Sequence, residues 1–201
     1  MPPKMLLASH NPGKIAELRT LMGGLEAEWL SLWDLGIVEK APETGSTYRT
    51  NAAMKARFYA ERAGLPTLAD DSGLEVDALG GAPGVRSARV LARPNATDAD
   101  RRRYLLGRLD PLSRPWTARF RCVVAIVFPD GRLLTGEGTC EGVIIPEERG
   151  ENGFGYDPIF EFANGRTMAE MGDAEKNRVS HRARAVKDLV DRYRDDFQEE
   201  K

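Results

Sequence analysis

Two short segments carry lysine and aspartate residues at spacings suited to phosphate and a divalent cation. In the first, LLASHNPGK (6–14), an apolar run passes through a polar turn into a helix-like pattern. Backbone N–H groups at a helix start, together with the Lys14 ammonium, attract phosphate groups. Ala8 and Ile15 replace the first glycine and the hydroxyl of the pattern G-x-x-x-x-G-K-[ST], which argues against an ordinary P-loop. Phosphate binding and a plain strand-to-helix turn both remain open.

The second segment, LADDSG, places Asp70 and Asp71 side by side before Ser72. Adjacent residues of a strand point to opposite faces, so these two carboxylates do not share a proton. One carboxylate could face a ligand while the other faces the backbone or a helix end. Acids at the end of a strand suit a magnesium or water-activating site. A local turn capped by aspartate is the alternative.

Three further segments offer groups that could bind a ligand. Glu43 precedes a helix on which Asn51 and Lys55 share one face, although a solvated face has the same spacing. In GFGYDP (153–158), glycines allow close approach to the backbone, and the aromatic residues could stack on a base or pack in the core. In EKNRVSHRAR, three donors are predicted to gather at the start of the last helix: Lys176, His181 and Arg182.

Alternating strands and helices must position these groups. The predicted elements of the first half are strands at 4–8 and 29–32 and helices at 14–22 and 48–63, followed by a strand that ends in the acids and a separate strand in LEVDAL. The later elements are a helix at 98–108 capped by Thr97, a long β-hairpin around PDG, and an amphipathic C-terminal helix whose apolar stripe ends at Phe197. The class is therefore α/β, with a mixed β-sheet and flanking helices.

Composition limits the possible settings. The 201 residues are 41% hydrophobic, and 29 basic residues face 31 acidic ones, a balance that argues against broad nucleic-acid binding. The run Arg101–Arg103 is predicted to be a solvated helix face. The N-terminal apolar stretch is too short for a secretory signal, and we expect a cytoplasmic protein without a membrane partner. Cys122 and Cys140 are expected to be reduced, buried thiols.

Five segments together resemble one family, the purine nucleoside triphosphate pyrophosphatases that act on inosine, deoxyinosine and xanthosine triphosphates (XTP/dITP diphosphatase). They are SHNPGK, ETGSTYRTNAAMKA, ADDSGLEVDALGGAPGVRSAR, GFGYDPIF and EKNRVSHRARA, in the family's order across nearly the whole chain. His10 occupies a variable position of the first motif. The resemblance implies a single domain over 1–201, elongated and two-lobed with a cleft between the lobes, and a homodimer. It also implies Mg²⁺-dependent hydrolysis to a nucleoside monophosphate and pyrophosphate.

The resemblance further implies a role for each matching residue. Glu43 and Asp71 would bind Mg²⁺, and Asp71 would be the base for the attacking water, with Lys14 and Lys55 as catalytic lysines. Substrate contacts would come from Ser9, His10, Asn11, Pro12, Gly13, Lys14, Ser72, Phe154, Gly155, Tyr156, Asp157, Lys176, His181 and Arg182. The first six of these would hold the triphosphate and Phe154–Asp157 the base and sugar. Lys176, His181 and Arg182 would recognise the purine edge.

Two other functions fit part of this pattern. A non-catalytic nucleotide sensor could use the same lysines, although a metal–base pair would then have little purpose. A pyrophosphatase of the septum-formation-inhibitor type would prefer pyrimidine or modified nucleotides, whereas GFGYDP and SHR favour purines.

Overall fold

The computed structural model describes residues 1–198, with side chains up to residue 195, so Phe197 of the predicted stripe lies outside the described side chains. Within this range the chain forms six strands and five α-helices. The strands are β1 (Lys4–Leu7), β2 (Glu28–Ser31), β3 (Thr67–Val76), β4 (Trp116–Val127), β5 (Leu133–Ile144) and β6 (Phe160–Glu161). The α-helices are α1 (Pro12–Leu21), α2 (Tyr48–Ala63), α3 (Asp98–Leu109), α4 (Asp173–Val179) and α5 (His181–Gln198). Within residues 1–198, no helix combines the length and apolar composition that a membrane span needs.

The six strands form one mixed sheet in the order β2-β1-β3-β4-β5-β6. β1 runs parallel to β2 and β3, whereas β6 pairs antiparallel with β5. The parallel strands are joined through helices and β4 is joined to β5 by a tight turn, which is the pattern expected of an α/β sheet extended by hairpins. The predicted α/β class with a mixed sheet is confirmed.

Local sequence signals account for the helix ends. α2 spans the predicted residues: Thr47 and Thr50 form a reciprocal capping box at its start, and Gly64 ends it in the left-handed conformation at φ 64°. Thr97 and Asp100 form the expected box at the start of α3. These helices were predictable because caps are short-range hydrogen bonds that the sequence encodes directly.

The prediction of two strands around LADDSG is wrong, because β3 runs unbroken from Thr67 to Val76 and both acids lie in mid-strand. Gly73 suggested a turn but serves close packing instead. A Cβ atom there would lie 2.2 Å from the carbonyl oxygen of Gly84.

The C-terminal donors do not share one helix. Lys176 lies on α4, which ends where Ser180 becomes extended (φ −67°, ψ 156°), and His181 and Arg182 begin α5. The prediction that Lys176 stands at the start of the last helix is therefore wrong.

The described residues divide into two compact units. Unit 1 contains residues 1–71, 122–138 and the chain from His181 onward, and unit 2 contains residues 72–121 and 139–180. Each unit has its own apolar cluster, built around Leu7, Leu18 and Val186 in unit 1 and around Leu74, Leu109 and Phe160 in unit 2.

The two cysteines are buried free thiols, as predicted. Cys122 belongs to the apolar cluster of unit 1 and Cys140 to that of unit 2. Burial raises the pKa of Cys122 to about 12, so its thiol is protonated and unreactive at neutral pH.

Candidate active site

The predicted phosphate turn is the capped N-terminus of α1. The Asn11 side-chain oxygen accepts a hydrogen bond from the Lys14 backbone N–H at 3.1 Å, and the Asn11 N–H donates to Ser9 Oγ at 3.1 Å. Pro12 fills the first helical turn, where its missing N–H costs no helical bond. The side chain of Lys14 therefore leaves α1 from its first turn, in a fixed backbone conformation.

The Lys14 side chain enters a buried group of charges that we call the Asp70 network: Lys14, Glu17, Asp70 and Arg182. Asp70 Oδ2 lies 3.0 Å from Lys14 Nζ and 3.1 Å from Arg182 Nη2. Arg182 Nη1 donates to Glu17 Oε2. Asp70 and Arg182 are each 1% exposed, so these two charges depend on their partners rather than on water, while Lys14 and Glu17 are partly exposed.

The proton affinities in this network follow from burial and pairing. Burial disfavours the charged carboxylate of Asp70, but Lys14 and Arg182 outweigh it, so the pKa of Asp70 lies well below its ordinary value. Burial is also the largest effect on Lys14 and lowers the pKa of its ammonium, despite the attraction of Asp70. The carboxylate of Asp70 is thus permanently ionised and suited to holding cations, not to accepting protons.

Asp71 has a different environment. Its Oδ2 accepts a hydrogen bond from Asn51 Nδ2 at 3.0 Å, and the residue is 5% exposed. Burial raises the pKa of Asp71 above its ordinary value, against the opposing effects of Lys55 and the Asn51 bond. A carboxylate with a raised pKa is a better general base near neutral pH than an ordinary aspartate. The pKa values of the adjacent residues Asp70 and Asp71 are therefore shifted in opposite directions.

Glu43 joins this region through Lys55. The Lys55 ammonium lies 2.6 Å from Glu43 Oε1 and donates to the backbone oxygen of Asp70 at 2.9 Å, so one cation bridges the loop of Glu43 and strand β3. Within residues 1–195, whose side chains the structure describes, no three His, Cys, Asp or Glu side chains group as a complete metal site. Two carboxylates suit Mg²⁺, which retains several waters and takes further oxygens from phosphate, and in that respect the donor set fits the ion.

Unit 2 gathers a second set of predicted residues. Asp157 Oδ2 lies 2.7 Å from Lys176 Nζ, with both side chains at most 5% exposed, and accepts from the Phe154 N–H at 3.0 Å. The Lys176 ammonium stands 4.7 Å from the centre of the Phe154 ring, a cation–π arrangement. A Cβ atom on Gly153 (φ 76°) would lie 2.1 Å from Asp157 Oδ2, so only glycine fits there. The loop at residues 153–157 and helix α4 therefore form one polar cluster, and the Phe154 ring gives it an aromatic surface.

Helix α3 fixes the middle of that loop. Asp98 Oδ2 accepts from the Gly155 N–H at 2.7 Å, and Arg102 Nη1 donates to the Gly155 oxygen at 2.8 Å. The prediction that Arg101–Arg103 is a solvated face is wrong for Arg101 and Arg102, whose side chains are 21% and 12% exposed, and holds for Arg103 at 79%. Asp98 and Arg102, one helical turn apart, thus hydrogen-bond both the N–H and the C=O of Gly155.

The remaining predicted site residues do not contact the Asp70 network, Glu43 or the Asp157–Lys176 pair through any of the bonds described above. Tyr156 is buried, and its hydroxyl donates to the Ser87 oxygen at 2.9 Å. Ser72 is partly exposed in β3, and His181 is buried at the start of α5. His10 contacts Tyr59 and the Glu39 oxygen. The structure therefore brings together Lys14 with Arg182, Glu43 with Lys55, and Phe154 with Asp157 and Lys176.

Sequence reasoning gave no role to several residues that hold these groups in place. Helical spacing was their only signal: Lys14 and Glu17 are three residues apart, whereas Asn51 and Lys55, like Asp98 and Arg102, are four apart. Such spacing is equally common on solvated helix faces, so it could not identify them alone. The missed residues are Glu17, Asp98 and Arg102. Asn51 was placed on the face of Lys55 but was not identified as the partner of Asp71, and Asp70 was not identified as the anion between Lys14 and Arg182.

Comparison with known proteins gives a consistent set of matches. The model of the Ham1 family matches residues 5–192. A curated dITP/XTP pyrophosphatase from Thermus thermophilus is 47% identical over 194 residues, covering 96% of this chain and 92% of the relative. A solved HAM1 protein from Coxiella burnetii superposes with a TM-score of 0.86 at 42% identity, covering 97% of this chain and all of that one. A Mycobacterium abscessus structure described as nucleoside-triphosphatase / dITP/XTP pyrophosphatase gives a TM-score of 0.71 at 44% identity, with 90% and 94% covered.

Proposed function

Because this chain belongs to the Ham1 family, we propose that it is a nucleoside-triphosphate pyrophosphatase acting on non-standard purine nucleotides. The substrates are ITP, dITP and XTP, and the products are the nucleoside monophosphate and pyrophosphate. Removing these nucleotides would keep them out of DNA and RNA. Asp71 carries the proposal: it is buried, has a raised pKa and lies on β3 beside the residue that binds Lys14 and Lys55.

The reaction transfers a water oxygen to the α-phosphorus. Asp71 accepts a proton from the attacking water, the new P–O bond forms, and the bond between the α-phosphorus and the α–β bridging oxygen breaks. The bridging oxygen leaves with pyrophosphate. The positive charges of Lys14 and Lys55 offset the negative charge of the triphosphate, which carries about four negative charges near neutral pH, and stabilise the charge that builds up on the leaving group. No covalent intermediate on the protein is required, and the protonated thiol of Cys122 takes no part.

We assign the divalent ion to Glu43 and Asp71. Magnesium would polarise the phosphate oxygens and acidify a nearby water. The Lys55 ammonium lies 2.6 Å from Glu43 Oε1, so this contact orients the carboxylate. Ser9–Lys14, at the N-terminus of α1, are the proposed phosphate contacts because a helix N-terminus with a lysine attracts polyanions.

We assign recognition of the base and sugar to Phe154–Asp157 with Lys176, and of the purine edge to His181 and Arg182 as well. Inosine and xanthosine carry a 6-keto acceptor where adenine carries an amino donor, so a cationic donor favours the former. The Phe154 ring beside the Lys176 ammonium supplies a flat surface for stacking. Ser72 is the remaining proposed substrate contact.

We place this activity in the cytoplasm, in a single domain over residues 1–201 that works as a homodimer without nucleic-acid or membrane partners. Light scattering at assay concentration tests the dimer. A monomer that retains full activity would remove the dimer from the proposal while leaving the chemistry intact.

The decisive assay is a panel of ITP, dITP, XTP, ATP and UTP with Mg²⁺, followed by product identification. We expect IMP and pyrophosphate from ITP, and slow turnover of ATP. Orthophosphate as the first product would contradict cleavage between the α- and β-phosphates. Tight ITP binding without turnover would favour a nucleotide sensor, and faster turnover of UTP would favour the septum-formation-inhibitor type.

A further inference from the structure

The loop that carries Glu43 is held by one stripe of helix α2. Asn51, Lys55 and Tyr59 follow one another at four-residue intervals, so they lie along one face of the helix. Asn51 Oδ1 accepts from the Gly45 N–H at 2.8 Å, and Lys55 binds Glu43. Tyr59 contacts the loop at Glu39 and Ala41. The stripe therefore binds residues 39–45 at three points, which we call levels: Asn51 at the first, Lys55 at the second and Tyr59 at the third.

The Tyr59 hydroxyl is the centre of the third level. It donates to the Glu39 backbone oxygen at 2.9 Å and accepts from the Ala41 N–H at 3.1 Å. His10 Nε2 lies 3.2 Å from the hydroxyl oxygen and 3.1 Å from the same Glu39 oxygen. Tyr59 is 2% exposed, so these bonds stand in place of hydration by water.

The donors and acceptors assign one proton arrangement. A backbone carbonyl only accepts, so the contact with Glu39 requires a hydrogen on His10 Nε2. That N–H is shared between the carbonyl and the hydroxyl oxygen, whose own hydrogen is directed at Glu39. The hydroxyl then makes one donation and two acceptances, which uses its full capacity.

Glu43 lies two residues beyond this fixed point. Pro42 separates it from Ala41, and the proline ring restricts the backbone there to φ near −65°. Fixing Glu39 and Ala41 therefore also limits the directions available to Glu43. His10 belongs to the predicted phosphate turn, so the same hydroxyl links that turn to the loop of Glu43.

We propose that Tyr59, with His10, is a positioning residue that holds the Glu43 loop in the conformation that binds the divalent ion. This proposal rests on the assignment of Glu43 as a metal ligand. Lys55 fixes the carboxylate itself, whereas the Tyr59 hydroxyl fixes the backbone that precedes it. Metal binding is therefore coupled to the conformation of the phosphate turn through His10.

The test compares wild type with Tyr59→Phe, which keeps the ring and removes the hydroxyl. Two measurements need no turnover: hydrogen–deuterium exchange of the Ala41 amide, and Mn²⁺ titration followed by electron paramagnetic resonance. We expect faster exchange at Ala41, and a Mn²⁺ dissociation constant raised about two- to tenfold. This factor corresponds to about one net hydrogen bond, out of the three that the hydroxyl makes, being expressed in metal affinity. The Mg²⁺ concentration for half-maximal ITP turnover should rise in parallel, with kcat at saturating Mg²⁺ within about twofold of wild type.

Tyr193→Phe is the matched control. Tyr193 lies on α5 of the same unit and stacks on Phe128 at 6.3 Å, so its variant tests loss of a phenolic hydroxyl elsewhere. It should leave Ala41 exchange and Mn²⁺ affinity unchanged. Unaltered exchange at Ala41 in Tyr59→Phe, or faster exchange with unaltered Mn²⁺ affinity, would overturn the proposal. If wild type leaves ITP intact, the proposed function is wrong, while exchange and the Mn²⁺ titration still decide the role of Tyr59.

Discussion

The two units hold their candidate site residues by different means. In unit 1 most of the groups project from regular elements, Lys14 from α1, Lys55 from α2 and the two acids from β3, whereas Glu43 lies on a loop. Buried charges and one amide hold their side chains directly. In unit 2 the loop of Phe154–Asp157 is held mainly through its backbone, by Asp98 and Arg102 on α3 and by Asp157 itself.

This difference matches different chemical demands. A general base and its cations must be fixed in both direction and proton affinity, which requires partners on the side chains themselves. A surface that stacks on a base needs a defined backbone, and glycines allow a ligand to approach it closely. We therefore expect a change at Asp71 to alter the rate for every substrate, and changes in the unit 2 loop to alter affinity and selectivity. Within unit 1, Lys14 is assigned to phosphate affinity, and His181 and Arg182 to the purine edge.

The largest expected effect separates these roles most sharply. Asp71→Asn keeps the shape and the Asn51 neighbour but removes the base, so kcat with ITP should fall about 10²- to 10⁴-fold. The ratio of ITP to ATP turnover should stay constant, because both substrates lose the same proton acceptor. Steady-state kinetics with both nucleotides provide the measurement.

Asp130→Asn, in the exposed hairpin turn of the same unit, is the control and should behave as wild type. A rate that survives Asp71→Asn would mean that the base lies elsewhere, whereas a wild-type protein that binds ITP and shows no rate to lose would favour a nucleotide sensor. A changed ITP-to-ATP ratio would show that Asp71 also contributes to selection of the base.

The next effect concerns stability. Asp70→Asn leaves Lys14 and Arg182 without their shared buried anion and should cost about 3–5 kcal/mol of unfolding free energy. Asp157→Asn removes the carboxylate beside a single cation, Lys176, which keeps its contact with the Phe154 ring, and should cost less. Denaturant titration of both variants makes the comparison. Equal losses would contradict the view that unit 1 depends more heavily on side-chain charge.

Acid should reveal the same network in wild type. The pKa of Asp70 is lower in the folded chain than in the unfolded one, so its stabilisation is complete at neutral pH. It begins to fall once the pH drops below the pKa of an unfolded aspartate. Asp70→Asn should therefore lose less stability between neutral and acidic pH than wild type does, as measured by thermal melts across that range.

Short-range patterns made much of the fold predictable. Caps at Thr47, Thr97 and Gly64 set helix ends through bonds within four residues, and the hairpin alternation set β4 and β5. Gly73 was misleading because a glycine is needed there for close contact with Gly84, eleven positions away. No local pattern encodes that contact. The break at Ser180 was missed because the residues on both sides of it favour helix.

The candidate site was predictable only in part, because contacts between residues far apart in the sequence determine it. Residue type pointed to Lys14, Glu43 and Asp71 as chemical groups. Which acid is permanently ionised depends on partners from α1 and α5 that the sequence does not place beside β3. Spacing on a helix marks faces such as that of Asn51, but not what each face contacts.

Lys14→Ala should have an intermediate effect, on phosphate affinity rather than on folding. Its ammonium is a charged donor worth about 1.5–3 kcal/mol, which predicts a KM for ITP raised roughly 10- to 150-fold. Asp70 retains Arg182 at 3.1 Å, so the folded state keeps a counter-ion. Lys4→Ala, an exposed lysine on β1, is the control. A collapsed melting temperature with normal affinity in the residual folded protein would identify Lys14 as structural.

The smallest effect tests whether unit 2 acts through its backbone. Arg102 donates to Gly155, whereas its neighbour Arg103 is largely exposed, so the two arginines form a matched pair on one helix. Arg102→Leu should raise the KM for ITP about two- to tenfold, the factor expected when one hydrogen bond is lost, with kcat unchanged. Arg103→Leu should leave both constants unchanged. Equal behaviour of the two variants would mean that Asp98 alone holds Gly155, and a loss in kcat would mean that the loop contributes to the chemical step assigned here to unit 1.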